Sequence, residues 1–274
     1  MVRRRPRRRE VALTNTIAAA YSATGGAWQR GPGRVYDRLA EVLVDRSPVP
    51  LGGSCALDVG AGTGAASRAV LAAGADRVVA VDVAIGMLVH DAPCRSAAAA
   101  GDALALPFTG SAFDVAVAAF SLNHLTDPAA GLREMARVTR RGGGLLAAAY
   151  ATDDSHPVKA AVEAALRARG WTPEPWYDAL RNEATPLLAT VAGCEAAVEA
   201  AGLDAVVEPV RVPFPELDAS DLVAWRLGMA QHAPFMVRLP VGTRDEIVAD
   251  AVARLGDAMQ TLVRSILVVR AVNP

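Results

Sequence analysis

Cys55-Ala56-Leu57-Asp58-Val59-Gly60-Ala61-Gly62-Thr63-Gly64 decides how the chain is read. The first five residues make a short apolar strand, and the rest a glycine turn that opens a helix near Ala65. Glycine suits such a turn for two reasons: it adopts positive φ at little cost, and it lets a ligand lie against bare backbone. The free N–H groups of the turn, together with the following helix N-terminus, favour an anionic or strongly polar ligand group. The acidic-x-Gly-x-Gly-x-Gly spacing of Asp58, Gly60, Gly62 and Gly64 says more than any one glycine.

Working outward, a helix over about 65–73 is stopped by Gly74, and Arg77–Asp82 reads as a buried parallel strand ending in an acid. Asp82 lies 18 residues beyond Gly64, where its two oxygens would meet both hydroxyls of a ribose. A short helix at 84–89 carries Met87 and Leu88; a small-residue strand at 96–100 leads into Gly101-Asp102-Ala103-Leu104-Ala105-Leu106-Pro107-Phe108. The next buried strand, Phe113–Phe120, is followed by Ser121-Leu122-Asn123-His124 at its C-terminal end, where open α/β sheets place ligands. A helix with Leu132, Met135, Ala136 and Val138 inward is expected to end at Gly142, Arg140 and Arg141 complementing its dipole, before a strand at 144–150.

The turn is similar to motif I of the class I S-adenosylmethionine-dependent methyltransferases, Asp/Glu-x-Gly-x-Gly-x-Gly. Gly60-x-Gly62-x-x-Ala65 also satisfies the looser dinucleotide fingerprint, and an acid at Asp82 suits S-adenosylmethionine and NAD alike. Residues 101–108 closely resemble the Gly-Asp-Ala-x-x-Leu-Pro-Phe segment of small-molecule members of that family, and Leu132-x-Glu134-x-x-Arg137-Val138 followed by Gly142-Gly143 resembles a further family motif. Four motifs in order cover about 55–150.

The resemblance implies a Rossmann-like, doubly wound seven-stranded α/β sheet with its last strand antiparallel, and S-adenosylmethionine as cofactor. By the same resemblance Asp58 and the turn (Gly60, Ala61, Gly62, Gly64) hold the methionine part, and Asp82 with Val83 the ribose. Asp102 accepts from the adenine amino group, the Ala103 N–H donates to a ring nitrogen, and Met87 and Phe120 flank the base or line the pocket.

Three segments are expected: a basic leader with N-terminal helices (1–50), the cofactor-binding core (51–150), and a helical substrate cover carrying the last two strands (151–274). Helices are predicted at 11–23 and 34–45, the second with Val35, Leu39, Val42 and Leu43 on one face. In the family such helices close over the cofactor, so Tyr21 and Trp28 are substrate candidates, whereas Tyr36 reads as packing. The second half predicts helices at 158–169, 186–200, 218–232 and 243–262, with strands at 205–212 and 266–272. Trp176 and Tyr177, in a proline-broken aromatic stretch with Trp171, are further substrate candidates. His124 is the candidate general base, because it follows the fourth strand and histidine titrates near neutrality. His156 and His232 are expected at the surface.

Composition narrows the chemistry. Arginines 3, 4, 5, 7, 8 and 9 form a basic tract, read as a leader; without them 22 basic face 29 acidic side chains, which argues against a nucleic-acid partner. No stretch of about 18 apolar residues predicts a membrane span. Three cysteines (55, 94, 194) form no metal spacing, and with no convincing export signal they point to a cytoplasmic protein. Abundant alanine and arginine with a single lysine suggest a high-GC bacterial genome. No carboxylate cluster predicts a metal, and the Asp/Asn-Pro-Pro-Tyr/Phe signature of nitrogen methylation on amides or nucleobases is replaced by Ser121-Leu122-Asn123-His124. The expectation is therefore methyl transfer to an O, C or N atom of a small molecule, in secondary or lipid metabolism. A methyltransferase-fold cyclase or binding protein and an NAD-dependent oxidoreductase are the alternatives. A homodimer is an assembly on which the sequence is silent.

Overall fold

Strand β1 (Cys55–Val59) lies in the middle of a parallel sheet because its residues are apolar on both faces, four of the five being buried. The computed structural model describes residues 8–90 and 97–274, with side chains from Thr14 onward. Arginines 3, 4, 5 and 7 of the basic tract, and Cys94, lie outside the described residues. β1 pairs with β2 (Arg77–Asp82) on one side and β4 (Phe113–Ala119) on the other. β3 (Ala97–Ala100), β5 (Thr139–Tyr150), β6 (Ala205–Phe214) and β7 (Leu262–Val272) complete the order β3-β2-β1-β4-β5-β7-β6. β7 runs antiparallel to both neighbours, as the resemblance implied. The strand order reverses between β1 and β4, which opens a crevice at their C-terminal ends.

Helices α1 (Arg8–Ser22), α2 (Gly25–Arg30) and α3 (Gly33–Val44) precede the sheet. α3 buries Leu39 and Leu43 completely, in one cluster with residues of β1, β4 and the helix α4 (Ala65–Ala72) that follows the turn. α5 (Ile85–Leu88) and α6 (Pro128–Val138) complete the first half. The second half holds α7 (Pro157–Arg167), α8 (Pro175–Ala179), α9 (Val191–Ala201), α10 (Ala219–Leu227), α11 (Ala233–Val237) and α12 (Val241–Leu255).

Three boundaries differ from expectation. α6 ends at Val138 rather than Gly142, because Thr139 pairs with Phe113 and the chain is already extended there. Arg140 meets Asp114 (Nε–Oδ1 2.6 Å), and Gly142, at φ +71°, donates to the Asn273 carbonyl inside the irregular start of β5. The helix expected at 218–232 is broken after Leu227, with Gly228 at its C-cap. α12 stops at Leu255, not 262, because β7 begins at Leu262 and is hydrogen-bonded along its length to β6. Pro209 and Pro213 are tolerated in β6 because it is an edge strand.

Candidate functional site

The glycine turn is left-handed at three points: Gly60 (φ +68°), Gly62 (+54°) and Gly64 (+89°). At Gly60 sterics reinforce the demand, since a Cβ there would fall 2.2 Å from Ser121 Cβ. That approach lets the Ser121 hydroxyl donate to the Val59 carbonyl at 2.6 Å, joining the ends of β1 and β4. Asp82 does two things at once. Its Oδ2 accepts from the Gly62 N–H at 2.8 Å and its Oδ1 from the Ala84 N–H at 2.7 Å, so it shapes the turn from β2. Asp58 is buried, and the Ser67 hydroxyl donates to its Oδ2 at 2.7 Å, tying β1 to α4.

Asp102 caps its own loop, accepting from the Leu104 N–H at 2.9 Å. The loop is held from behind by α6. The Leu106 N–H donates to Glu134 at 2.9 Å, and Arg137 donates to the carbonyls of Phe108 (2.8 Å) and Leu106 (2.9 Å) while pairing with Glu134. This gives the Glu134-x-x-Arg137 spacing a physical purpose: two charges one helical turn apart clamp the 102–108 loop against the sheet.

These pieces enclose a cavity of about 140 Å³ at the sheet crevice. One end is lined by Asp58, Gly60–Thr63, Asp82, Val83, Asp102 and Ala103, and Met87 lines the cavity where it packs with Trp28. The other is an aromatic wall of Tyr21, Trp28, Tyr36, Phe120 and His124. Its rings touch in series: Tyr21–Trp28 at 5.6 Å, Trp28–Tyr36 at 4.8 Å, and Tyr36–Phe120 edge-on at 5.7 Å. Phe120 adopts φ +62°, an uncommon state for a non-glycine residue of the kind that concentrates at functional sites.

His124 sits in this wall 3.4 Å from the Tyr21 hydroxyl (Nε2 to O). Burial pushes its pKa down to about 4, so the ring is neutral near pH 7. Burial pushes Tyr21 up, so its hydroxyl stays protonated and donates.

The structure thus brings together Asp58, Gly60, Ala61, Gly62, Asp82, Val83, Met87, Asp102, Ala103, Phe120, His124, Tyr21 and Trp28 around one cavity. Gly64 caps α4 outside the lining. Trp176 stands one layer back, buried with Ile17, Leu180, Ala184 and Ala230, its ring 6.4 Å from Tyr21. Tyr177 packs on Trp176 and under Arg181, away from the lining. Tyr36, read from sequence as packing, lines the cavity; no local pattern in α3 marks it out. The surface expectation for two histidines is corrected. His156 is buried as the N-cap of α7 and His232 is fully buried, its Nδ1 2.8 Å from the Arg226 carbonyl oxygen. Among the described residues no group of three or more His, Cys, Asp or Glu side chains could hold a metal, and no helix is long and apolar enough to cross a membrane.

A doubly wound sheet with its last strand antiparallel, a glycine turn after β1 and acids at the ends of β2 and β3 define a class I methyltransferase fold. Residues 57–147 match the methyltransferase domain family, in agreement with the class I S-adenosylmethionine-dependent methyltransferase motifs of that segment. The chain is 38% identical over 136 residues to a demethylmenaquinone methyltransferase of Mycolicibacterium gilvum, spanning 50% of this chain and 58% of that protein. It is 38% identical over 148 residues to the protein of the same name from Renibacterium salmoninarum, spanning 53% and 59%. The chain therefore spans under two thirds of the length of these curated relatives. A solved structure of phosphoethanolamine N-methyltransferase 2 of Haemonchus contortus with S-adenosyl-L-methionine shares the fold at TM-score 0.58 and 17% identity, covering 96% of this chain and 60% of that one.

Proposed function

We propose that the chain binds S-adenosylmethionine in this cavity and transfers its methyl group to an O, C or N atom of a small molecule. One observation carries the reading: the left-handed Gly60 and Gly62 and the carboxylates of Asp82 and Asp102 line a single cavity at the sheet's switch point. The residues fit the cofactor. The turn offers backbone close to the cavity, the Asp82 carboxylate lines it beside the turn, and Asp102 stands beside the Ala103 N–H. In this reading Asp58 and the turn (Gly60–Gly64) hold the methionine part, Asp82 and Val83 the ribose, and Asp102 and Ala103 the adenine, with Met87 against the base. When bound, the cofactor supplies an electrophilic methyl group.

The chain's own task is placement, which can contribute several kcal/mol or more to a displacement. Phe120, Tyr21, Trp28 and Tyr36 exclude water and orient a flat acceptor. His124 takes a proton from the attacking atom where that atom carries one. The names of the relatives in M. gilvum and R. salmoninarum support a small organic acceptor. The acidic balance of the chain outside its basic tract favours a small molecule over nucleic acid, and a cytoplasmic setting agrees with the cysteine usage.

Calorimetric titration with S-adenosylmethionine, S-adenosylhomocysteine and NAD tests this. Micromolar binding of the first two with none of NAD is the expected result. Binding of NAD alone, or of none of the three, overturns the reading.

A further inference from the structure

The loop that brings Asp102 and Ala103 to the cavity hangs from the least secured strand of the sheet. β3 is four alanines long, pairs only with β2 at the sheet edge, and leaves three of its four residues exposed. Alanine is a poor strand former and brings little side chain to pack. Gly101 is tied back to β2, its N–H donating to the Asp82 carbonyl at 3.1 Å. Asp102 then closes a turn on itself: its carboxylate accepts from the Leu104 N–H and its carbonyl from the Ala105 N–H, both at 2.9 Å. Those bonds set the shape of the turn and leave its place against the cavity to be fixed from elsewhere.

The place comes from α6. Glu134 accepts from the Leu106 N–H and Arg137 donates to the Leu106 carbonyl, each at 2.9 Å. One pair of side chains thus satisfies both backbone groups of Leu106, as a neighbouring strand would. Arg137 reaches on to the Phe108 carbonyl at 2.8 Å. The pair itself is bidentate, Nε to Oε1 and Nη2 to Oε2 each at 2.7 Å, which fixes both planes relative to each other. Leu106 is buried, and Phe108 sets its ring edge-on against Phe113 at 5.1 Å. Behind the pair, the Asn273 side-chain amide donates to the carbonyls of Ala136 (3.0 Å) and Thr139 (2.8 Å), on either side of Arg137, and steadies that end of α6.

We propose that Glu134 and Arg137 are positioning residues for recognition of the cofactor's base. Neither lines the cavity, yet together they set where Asp102 and the Ala103 N–H stand in it. This rests on the methyltransferase reading, with Asp102 accepting from the adenine amino group and the Ala103 N–H donating to the adjacent ring nitrogen, N1. Adenine offers a donor beside an acceptor along that edge, whereas hypoxanthine offers the reverse, a carbonyl oxygen beside a protonated N1. Against a fixed loop, hypoxanthine leaves the Asp102 carboxylate facing an oxygen and the Ala103 N–H facing another N–H, a mismatch that a site built on hydrogen bonds rejects. A loop free to slide evades both clashes. Discrimination between the two bases therefore reads how firmly α6 holds the loop.

The test is calorimetry of S-adenosylhomocysteine and S-inosylhomocysteine, which differ only at that edge of the base. Wild type should bind the adenine ligand about tenfold or more tightly, the scale of a hydrogen bond to a charged group. Arg137→Gln should collapse the preference by weakening S-adenosylhomocysteine alone, while S-inosylhomocysteine keeps its wild-type affinity. Arg137→Lys, which retains the charge without the fork, should fall between the two. Equal binding of both ligands by wild type, an undiminished preference in Arg137→Gln, or an equal loss of both ligands, the mark of a merely structural role, would each overturn the proposal. Should Arg137→Gln not fold, Glu134→Gln keeps the shape of the pair and withdraws the charge that holds Arg137, and the same outcomes decide there. Failure of wild type to bind S-adenosylhomocysteine would instead defeat the cofactor reading, and the positioning proposal with it.

Discussion

The two ends of the cavity are built by different means. The glycine end is backbone: left-handed residues at 60, 62 and 64, pinned by Asp82 through bonds of 2.7 and 2.8 Å and backed by a clamped loop at 102–108. The aromatic end is side chain: Tyr21, Trp28, Tyr36, Phe120 and His124 come from three helices and one strand end, held mainly by ring contacts of 4.8–5.7 Å. Backbone geometry is stiff and intolerant of substitution, whereas a wall of packed rings can be changed one group at a time. The glycine end should therefore fail abruptly when altered, and the aromatic end by degrees.

The largest effect is expected at Gly60. Gly60→Val forces a branched residue into φ +68° and drives its Cβ into Ser121. Backbone strain and overpacking each cost about 1–3 kcal/mol, so denaturant unfolding should show a loss of about 2–6 kcal/mol, with cofactor binding lost as well. A variant of near wild-type stability would mean that the turn is softer than its geometry implies, and the contrast between the ends would fail.

Asp82→Ala should rank next. It removes the acceptor for two N–H groups and the proposed ribose ligand together. S-adenosylhomocysteine affinity should fall by about 1.5–3 kcal/mol in calorimetry, the scale for hydrogen bonds to a charged group. Unchanged affinity would remove Asp82 from the cofactor end.

A third effect depends on pH. His124 and His232 have pKa values pushed by burial to about 4 and about 3, below the 6.5 of an exposed histidine. Above pH 6.5 neither state binds the proton, so the shifts contribute nothing there. Below it the unfolded chain takes up protons that the folded chain refuses, and stability falls as pH drops from 6.5 toward 4, by at most about 1.4 kcal/mol per pH unit for each histidine. Urea midpoints across this range should show the decline, and His124→Gln should reduce its slope by one proton. A flat profile would mean that the aromatic end admits water freely.

The same division explains what could be read from the chain. The turn and the 101–108 loop are each a contiguous stretch and Asp82 follows the turn at a readable spacing, so all three survive in the sequence. Boundaries set by tertiary pairing did not: α6 yields to β5 at Thr139 because Phe113 lies opposite, and α12 gives way so that β7 can pair along β6. The cavity role of Tyr36 and the buried setting of Arg226 and His232 depend on where α3, α10 and the start of α11 dock, which periodicity does not encode. Glu134 and Arg137 lie between, since their spacing is visible in sequence but the loop that they clamp is not.

The smallest change expected is Tyr21→Phe, and it separates the two ends most finely. The ring of Tyr21 contacts Trp28, His124 and Trp176, and phenylalanine keeps all three. Only the hydroxyl is lost, and its bond to His124 Nε2 is long at 3.4 Å. Stability should drop by about 0.5 kcal/mol, the low end for a hydrogen bond. Because burial, not this bond, holds the His124 pKa down, the acid limb of kcat/KM for any acceptor that must lose a proton to His124 should stay near pH 4 in the variant. S-adenosylhomocysteine affinity should not move, since the cofactor end owes its shape to β1, β2 and the turn. A tenfold loss of that affinity would place the Tyr21 hydroxyl on the cofactor, and the boundary between a backbone end and a side-chain end would have to be redrawn through α1.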